Sequence, residues 1–255
     1  RKIGVTWNAQ GQFDRALETY DRAENYLGPE PGEMAAAWWR EWVELQYVRS
    51  YPLYALARWR DIESTFELAQ PIVEEHGTPF DRARFHAGRM TVALRRDRYV
   101  ISDATLADAR ILLEAGRKTG MLSLISEFSF YLGWFLVLRG ELDEAEAPLQ
   151  TARVVGERIA YPLYCAWALC WLTILRRRLG QLAETRLYAQ EALTVSTNAG
   201  IPAQIGMAQA NLAWVAWREG DLDQAEELGQ AALASWQRSQ WVYAFQWAAR
   251  CPLLA

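Results

Sequence analysis

The chain has 255 residues, 51% of them hydrophobic and 23% charged, with a formal net charge of −4. This balance excludes long disorder and gives no general attraction to nucleic acid or to an anionic membrane surface. The three cysteines, Cys165, Cys170 and Cys251, stand at no metal-ligand spacing and are expected as reduced, packed thiols in a cytoplasmic protein.

Read from the N-terminus, Gly11 opens the phrase Gly-Gln-Phe-Asp-Arg-Ala16. A long helical segment is expected from about Glu33 to Arg58, with Pro52 predicting a kink or break inside it. The next turn is expected near Arg60-Asp61-Ile62 and another between Arg98 and Ala104, where Ser102 is a plausible helix N-cap. Beyond that point the chain becomes regular. Gly140-Glu-Leu-Asp-Glu-Ala145, Gly180-Gln-Leu-Ala-Glu-Thr185 and Gly220-Asp-Leu-Asp-Gln-Ala225 stand forty residues apart. About twenty residues after each glycine comes a second break, at Ala160-Tyr161-Pro162, Gly200-Ile201-Pro202 and Ser239-Gln240-Trp241.

Each unit therefore divides into two segments of helical length, a helical hairpin. One hairpin cannot bury its apolar stripe alone, so the units must stack into a solenoid with a concave surface. Charge placement agrees: Arg139, Arg178 and Arg218 end first helices, while Glu141, Asp143 and Glu144, or Asp221 and Asp223, open second helices. Turns at about 11, 60, 104, 140, 180 and 220 give six units. The expectation is one all-α domain spanning 1–255. The uncharged run 159–175 approaches the length of a membrane span, but its repeat equivalent, 199–215, carries Gln204, Gln209 and Asn211. A buried solenoid helix accounts for both, so no membrane partner is expected.

These residues resemble the tetratricopeptide repeat (TPR). Counting back from Gly140, Leu132-Gly133 matches the Leu-Gly pair of the repeat's first helix, and Ala145, Leu149 and Ala152 match the second-helix set. Leu172 and Leu212 keep the leucine, and Ala192, Ala225 and Ala232 hold their places. Thr173 and Ala213 replace the glycine, and Thr185 and Gly229 replace other pattern residues. The resemblance implies a right-handed superhelical solenoid of about six TPR-like helical hairpins. Ile3-Gly4 and Trp7 fall on the Leu-Gly pair and the aromatic, so the chain is expected to start inside a first helix, and residues 241–250 are expected as another first helix. Both point to a piece of a longer polypeptide. Forty-residue repeats with Gly-x-Leu-x-x-Ala starts resemble the C-terminal sensor arms of bacterial multidomain signalling ATPases, LuxR-type regulators and adenylate-cyclase-like proteins.

In the geometry that the resemblance implies, the first helices line the concave face with Glu127, Phe130 and Trp134, then Trp167, Arg177 and Arg178, then Met207, Trp214, Trp217 and Arg218. Such a groove would hold a peptide or protein partner, a small effector, or adjacent domains of a parent protein. The same tryptophans could instead be buried by tight winding, and both readings stand at this point. A second stripe, Arg82, Arg89 and Arg96, recurs every seven residues and could grip an acidic partner, or could be a solvated face paired to neighbouring helices. His76 and His86 lack ligand spacing, and neither a phosphate-binding Gly-rich loop nor a nucleophile arrangement is present, so no metal, cofactor or catalysis is expected. Tyr51-Pro52-Leu53-Tyr54 and Tyr161-Pro162-Leu163-Tyr164 share their letters, read as helix-start chemistry. The expected function is a non-catalytic interaction or sensing arm without direct nucleic-acid binding. The alternative is a structural spacer or homodimerisation platform that pairs through ends around Trp7 and Trp241.

Overall fold

A computed structural model describes residues 1–28 and 36–238. The helix expected over 241–250, the break expected at 239–241, Cys251 and the expected helix start at Glu33 lie outside the described residues. Within them the protein is all α, with twelve helices and no strand. The helices fall into two compact units, 1–100 and 101–255.

The first unit holds α1 (Lys2–Ala9), α2 (Phe13–Leu27), α3 (Ala36–Ala55), α4 (Trp59–His76) and α5 (Pro79–Arg96). Consecutive helices pack antiparallel as hairpins, and α3 also lies against α1 and α5. The core between α3, α4 and α5 is built by Trp42, Leu53, Ile62, Phe66 and Phe85, and a smaller one gathers Ala16, Tyr20 and Leu45. Pro52 does not break α3; it sits in the last turn, and the helix runs on to Ala55. That placement corrects the reading of the Tyr-Pro-Leu-Tyr pair as one motif of helix starts. Pro162 opens a helix, whereas Pro52 lies near the end of one. Ser102 does cap the helix that follows it, accepting from the Thr105 amide at 3.1 Å.

The second unit holds α6 (Asp103–Thr119), α7 (Leu122–Arg139), α8 (Leu142–Arg158), α9 (Pro162–Arg178), α10 (Leu182–Asn198), α11 (Pro202–Glu219) and α12 (Leu222–Arg238). Here α7, α9 and α11 are first helices and α8, α10 and α12 second helices, and each first helix also touches the next one. Among the described residues one helix, α7, is long and apolar enough to cross a bilayer, but α6, α8 and α9 cover it and most of it is buried in protein. A helix that is apolar all round belongs in such a core. The uncharged run 159–175, expected as a buried solenoid helix, falls largely on α9, which is buried from Ala168 to Leu175.

The repeated glycines close the helices. Gly140 sits at φ +90°, the left-handed region that costs a residue with a side chain but not glycine. The amide of Glu141 then reaches back to the Leu136 carbonyl at 3.0 Å, a Schellman closure. Gln181 to Arg176 and Asp221 to Ala216 repeat that bond at 3.0 Å each. The first unit makes it too, from Arg58 to Leu53 and from Tyr99 to Leu94, with Ala57 and Arg98 in the left-handed position.

Candidate partner-binding site

Within the second unit α7, α9 and α11 carry the expected groove residues on neighbouring helices, Glu127, Phe130, Trp167 and Met207 in the N-terminal halves and the others in the C-terminal halves. An aromatic run crosses from α7 to α9: Phe130 lies 5.6 Å from Trp134 and 5.1 Å from Trp167 by ring centroids, and Trp134 lies 5.5 Å from Trp171. Most of this run is packing. Glu127, Phe130, Trp134, Met207 and Trp214 are all buried, whereas Trp167 is half-buried and Trp217 is 36% exposed. The accessible part is thus narrower than the ten expected residues, and consists of Trp167, Arg177, Arg178, Trp217 and Arg218.

The three arginines that end α9 diverge. Arg176 is held by Glu146 and by the Gln181 amide oxygen at 2.9 Å. Arg177 reaches forward to α11, where its Nη1 donates to Asn211 Oδ1 at 3.3 Å and its Cζ lies 4.6 Å from the Trp214 ring centroid. Arg178 reaches back to α7 and donates to the Val137 carbonyl. Arg218 comes over the same Trp214 indole, Cζ at 5.1 Å. One indole therefore receives two guanidinium groups, each attracted by the ring's quadrupole. Trp171 and Asn211 were missed at the sequence level. The i, i+4 spacing of Trp167 and Trp171 was the available signal for the first; only the reach of Arg177 shows the second.

The stripe Arg82, Arg89 and Arg96 faces the neighbouring helix of its own hairpin. Arg82 donates to the Glu74 carbonyl at 2.9 Å, Arg89 to Gln70 Oε1 at 2.9 Å, and Arg96 meets Glu63 at 3.4 Å and Asp97 at 2.9 Å. The seven-residue spacing on α5 thereby matches three successive levels of α4. A different arginine, Arg84, is the more buried one. It stacks 3.8 Å over the Tyr47 ring and pairs with Glu44 at 2.5 Å, while Arg1 holds the other oxygen of Glu44 at 3.2 Å. His76 stacks on Trp39 at 5.6 Å, and among the described residues no group of His, Cys, Asp and Glu is placed to hold a metal.

A tetratricopeptide repeat model matches residues 206–239, the hairpin of α11 and α12. No curated protein matches the sequence. Solved structures match closely in backbone. A Rap protein complexed with Competence and Sporulation Factor superposes with a TM-score of 0.69 at 14% identity, over 99% of this chain and 71% of that one. The fold is that of a tetratricopeptide-repeat solenoid. BtubC (BKLC) from P. vanneervenii shares this solenoid at TM-score 0.62 and 16% identity, over 89% of each chain. So does a signal transduction ATPase with numerous domains from Pyrococcus horikoshii that has a tetratricopeptide repeat sensor, at TM-score 0.61 and 15% identity. That match covers 99% of this chain but 37% of that protein. The tetratricopeptide solenoid explains why a first-helix residue such as Trp214 meets side chains of the preceding first helix: the helices are laid side by side by translation of one hairpin.

Proposed function

We propose that the protein is a non-catalytic interaction module, in which the face formed by α7, α9 and α11 binds a peptide segment of a protein partner. The observation that carries this reading is the pairing of accessible tryptophans, Trp167 and Trp217, with arginines beside a rigid buried aromatic run. Trp and Arg are the residues that most often supply interface energy, and an anchored scaffold reduces the ordering cost of binding. Structures of the same fold support the reading: one is complexed with a signalling factor and another is the sensor of a signal transduction ATPase. On that basis the chain acts as the regulatory arm of a larger cytoplasmic signalling or transcription-regulating protein.

The test is selection of a phage-displayed random peptide library on the full chain, with a Trp167→Ala/Trp217→Ala variant as the counter-target. Enriched peptides are expected to bind the first at least tenfold more tightly. Absence of enrichment, or enrichment indifferent to both tryptophans, refutes the assignment.

A further inference from the structure

We infer that the step from α8 to α10 is an adjustable joint of the second unit: a polar seam between the second helices opens and closes about a stiff apolar seam between the first helices, and the curvature at that step follows.

The two sides of the step are built from different chemistry. On the first-helix side α7 and α9 lie directly against each other, as α9 and α11 do. Their seam is aromatic and largely buried, with Phe130 5.1 Å from Trp167 and Trp134 5.5 Å from Trp171 by ring centroids. Separating close-packed rings forfeits dispersion contacts and exposes apolar surface, so this seam resists opening. On the second-helix side α8 and α10 stand further apart and are joined by long polar side chains. Gln150 of α8 donates to the Tyr188 hydroxyl of α10 at 2.7 Å. Arg153 of α8 pairs with Glu191 of α10 and also holds Glu157 of its own helix at 3.1 Å. Arg176, at the end of α9, pairs with Glu146 of α8, and its Cζ lies 5.8 Å from the Tyr188 ring centroid. Glu146, Gln150, Arg153 and Glu157 form one stripe along α8, and Tyr188 and Glu191 one along α10, as three- and four-residue spacing requires.

Gln150, Arg153, Tyr188 and Glu191 are all half-buried. Hydrogen bonds and ion pairs that solvent can reach contribute little net energy, because water replaces the lost partner. Opening this seam therefore exchanges protein partners for water and uncovers little apolar surface, the opposite of the aromatic side. The next step lacks the seam. Forty residues on, the equivalent positions are Gln190 and Leu193 on α10 and Leu228 and Ala231 on α12, which cannot form the amide–phenol bond or the ion pair. Rotation about the first-helix seam is thereby concentrated between α8 and α10, a hinge of the kind in which packed groups move against each other as bodies.

The experiment uses the full chain with nitroxides attached to keto-bearing unnatural residues in place of Val154 and Thr194, exposed and equivalent on α8 and α10, so that the native cysteines stay unlabelled. A second pair in place of Gln190 and Gln230, exposed on α10 and α12, reports the neighbouring step. Pulsed electron double resonance reads both distance distributions. Raising salt from about 0.1 M to about 1 M shortens the screening length from about 10 Å to about 3 Å and is expected to broaden the first distribution while leaving the second unchanged. Arg153→Glu, which faces Glu157 and Glu191 with a like charge, should shift or broaden the first distribution by about 2 Å or more at low salt. The exchange Arg153→Glu/Glu191→Arg should restore it, an outcome that a merely structural role of Arg153 would not give. A first distribution indifferent to salt and to Arg153→Glu overturns the joint, as does failure of the exchange to restore it. Equal movement of the second pair shows a general loosening and overturns the assignment to this step. Should Arg153→Glu fail to fold by circular dichroism, the salt response of the unsubstituted seam decides.

Discussion

A Cβ placed on Gly133 would stand 2.5 Å from Cγ of Leu149, so α7 approaches α8 at a distance that only glycine permits. The same offset recurs in the first unit, where a Cβ on Gly4 would meet the Tyr20 ring at 2.3 Å. At the equivalent positions of the next two hairpins the pairs are Thr173 with Ala189 and Ala213 with Gly229, all buried. Where the first-helix residue is larger than glycine, the second-helix residue is alanine or glycine.

This exchange of volume is testable by a double-mutant cycle. Gly133→Ala should overpack the hairpin at a cost of about 1–3 kcal/mol, and Leu149→Ala should leave a cavity at about 2–5 kcal/mol. The double variant, which mimics the pairs of the later repeats, is expected to be less destabilised than the sum of the two singles in urea unfolding. Strict additivity would show that the two sites do not share their space.

Left-handed backbone offers a pair of opposite expectations. Gly140→Ala places a side chain at φ +90° and should cost about 1 kcal/mol. Ala160 already occupies φ +52°, with Tyr161 bonded back to Gly156 at 2.9 Å. Ala160→Gly is therefore expected to raise the thermal midpoint, or at least to leave it unchanged; a clear drop would show that the backbone relaxes around alanine.

Glu24 anchors three donors of α3 to α2: Trp42 at 3.0 Å, the buried Gln46 at 2.9 Å and Arg49 at 2.6 Å. Removing the carboxylate leaves those donors in a poorly solvated site, so Glu24→Ala should cost about 2–4 kcal/mol in chemical denaturation. Glu24→Gln retains an acceptor and is expected to cost less. Equal losses would mean that packing, and not hydrogen bonding, dominates the site.

Burial lifts the Cys165 thiol to about 11, with Glu157 beside it adding to the rise, and burial also raises Cys170. A thiol raised in the folded state favours folding below its unfolded value and loses that contribution as pH climbs through the folded value. For Cys165 the window is roughly pH 9 to 11. At pH 8 neither thiol should react with iodoacetamide in the native protein, because the thiolate is the nucleophile. Mass spectrometry of the peptides reads this directly: modification of Cys165 or Cys170 before unfolding contradicts the buried, protonated state.

The hairpins after residue 120 could be read almost completely from the chain, because glycine supplies the left-handed residue at Gly140, Gly180, Gly200 and Gly220, and at Ala160 the Pro162 that follows marks the break. In the first unit the same closure uses Ala57 and Arg98, residues with no turn signature, and the turn at Ala57 was placed about three residues late, whereas the one after α5 falls within the expected 98–104. The ten residues expected to line a groove could be placed on three first helices from the chain. What was not legible was their solvent exposure, because Phe130 and Trp134 face both outward from α8 and sideways into α9, and helical spacing records only the first.

The sequence alone determined the architecture: a forty-residue period of glycine, acidic turn and apolar stripe admits stacked hairpins, since each stripe must find a neighbour to leave water. Only the tertiary structure decided how the charged side chains are paired. Arg82, Arg89 and Arg96 are engaged by α4, while Arg178 and Arg218 meet a carbonyl and an indole and, among the described residues, no carboxylate. Pairing of charges depends on which helix lies alongside, a through-space relation that the order of residues along one helix does not contain.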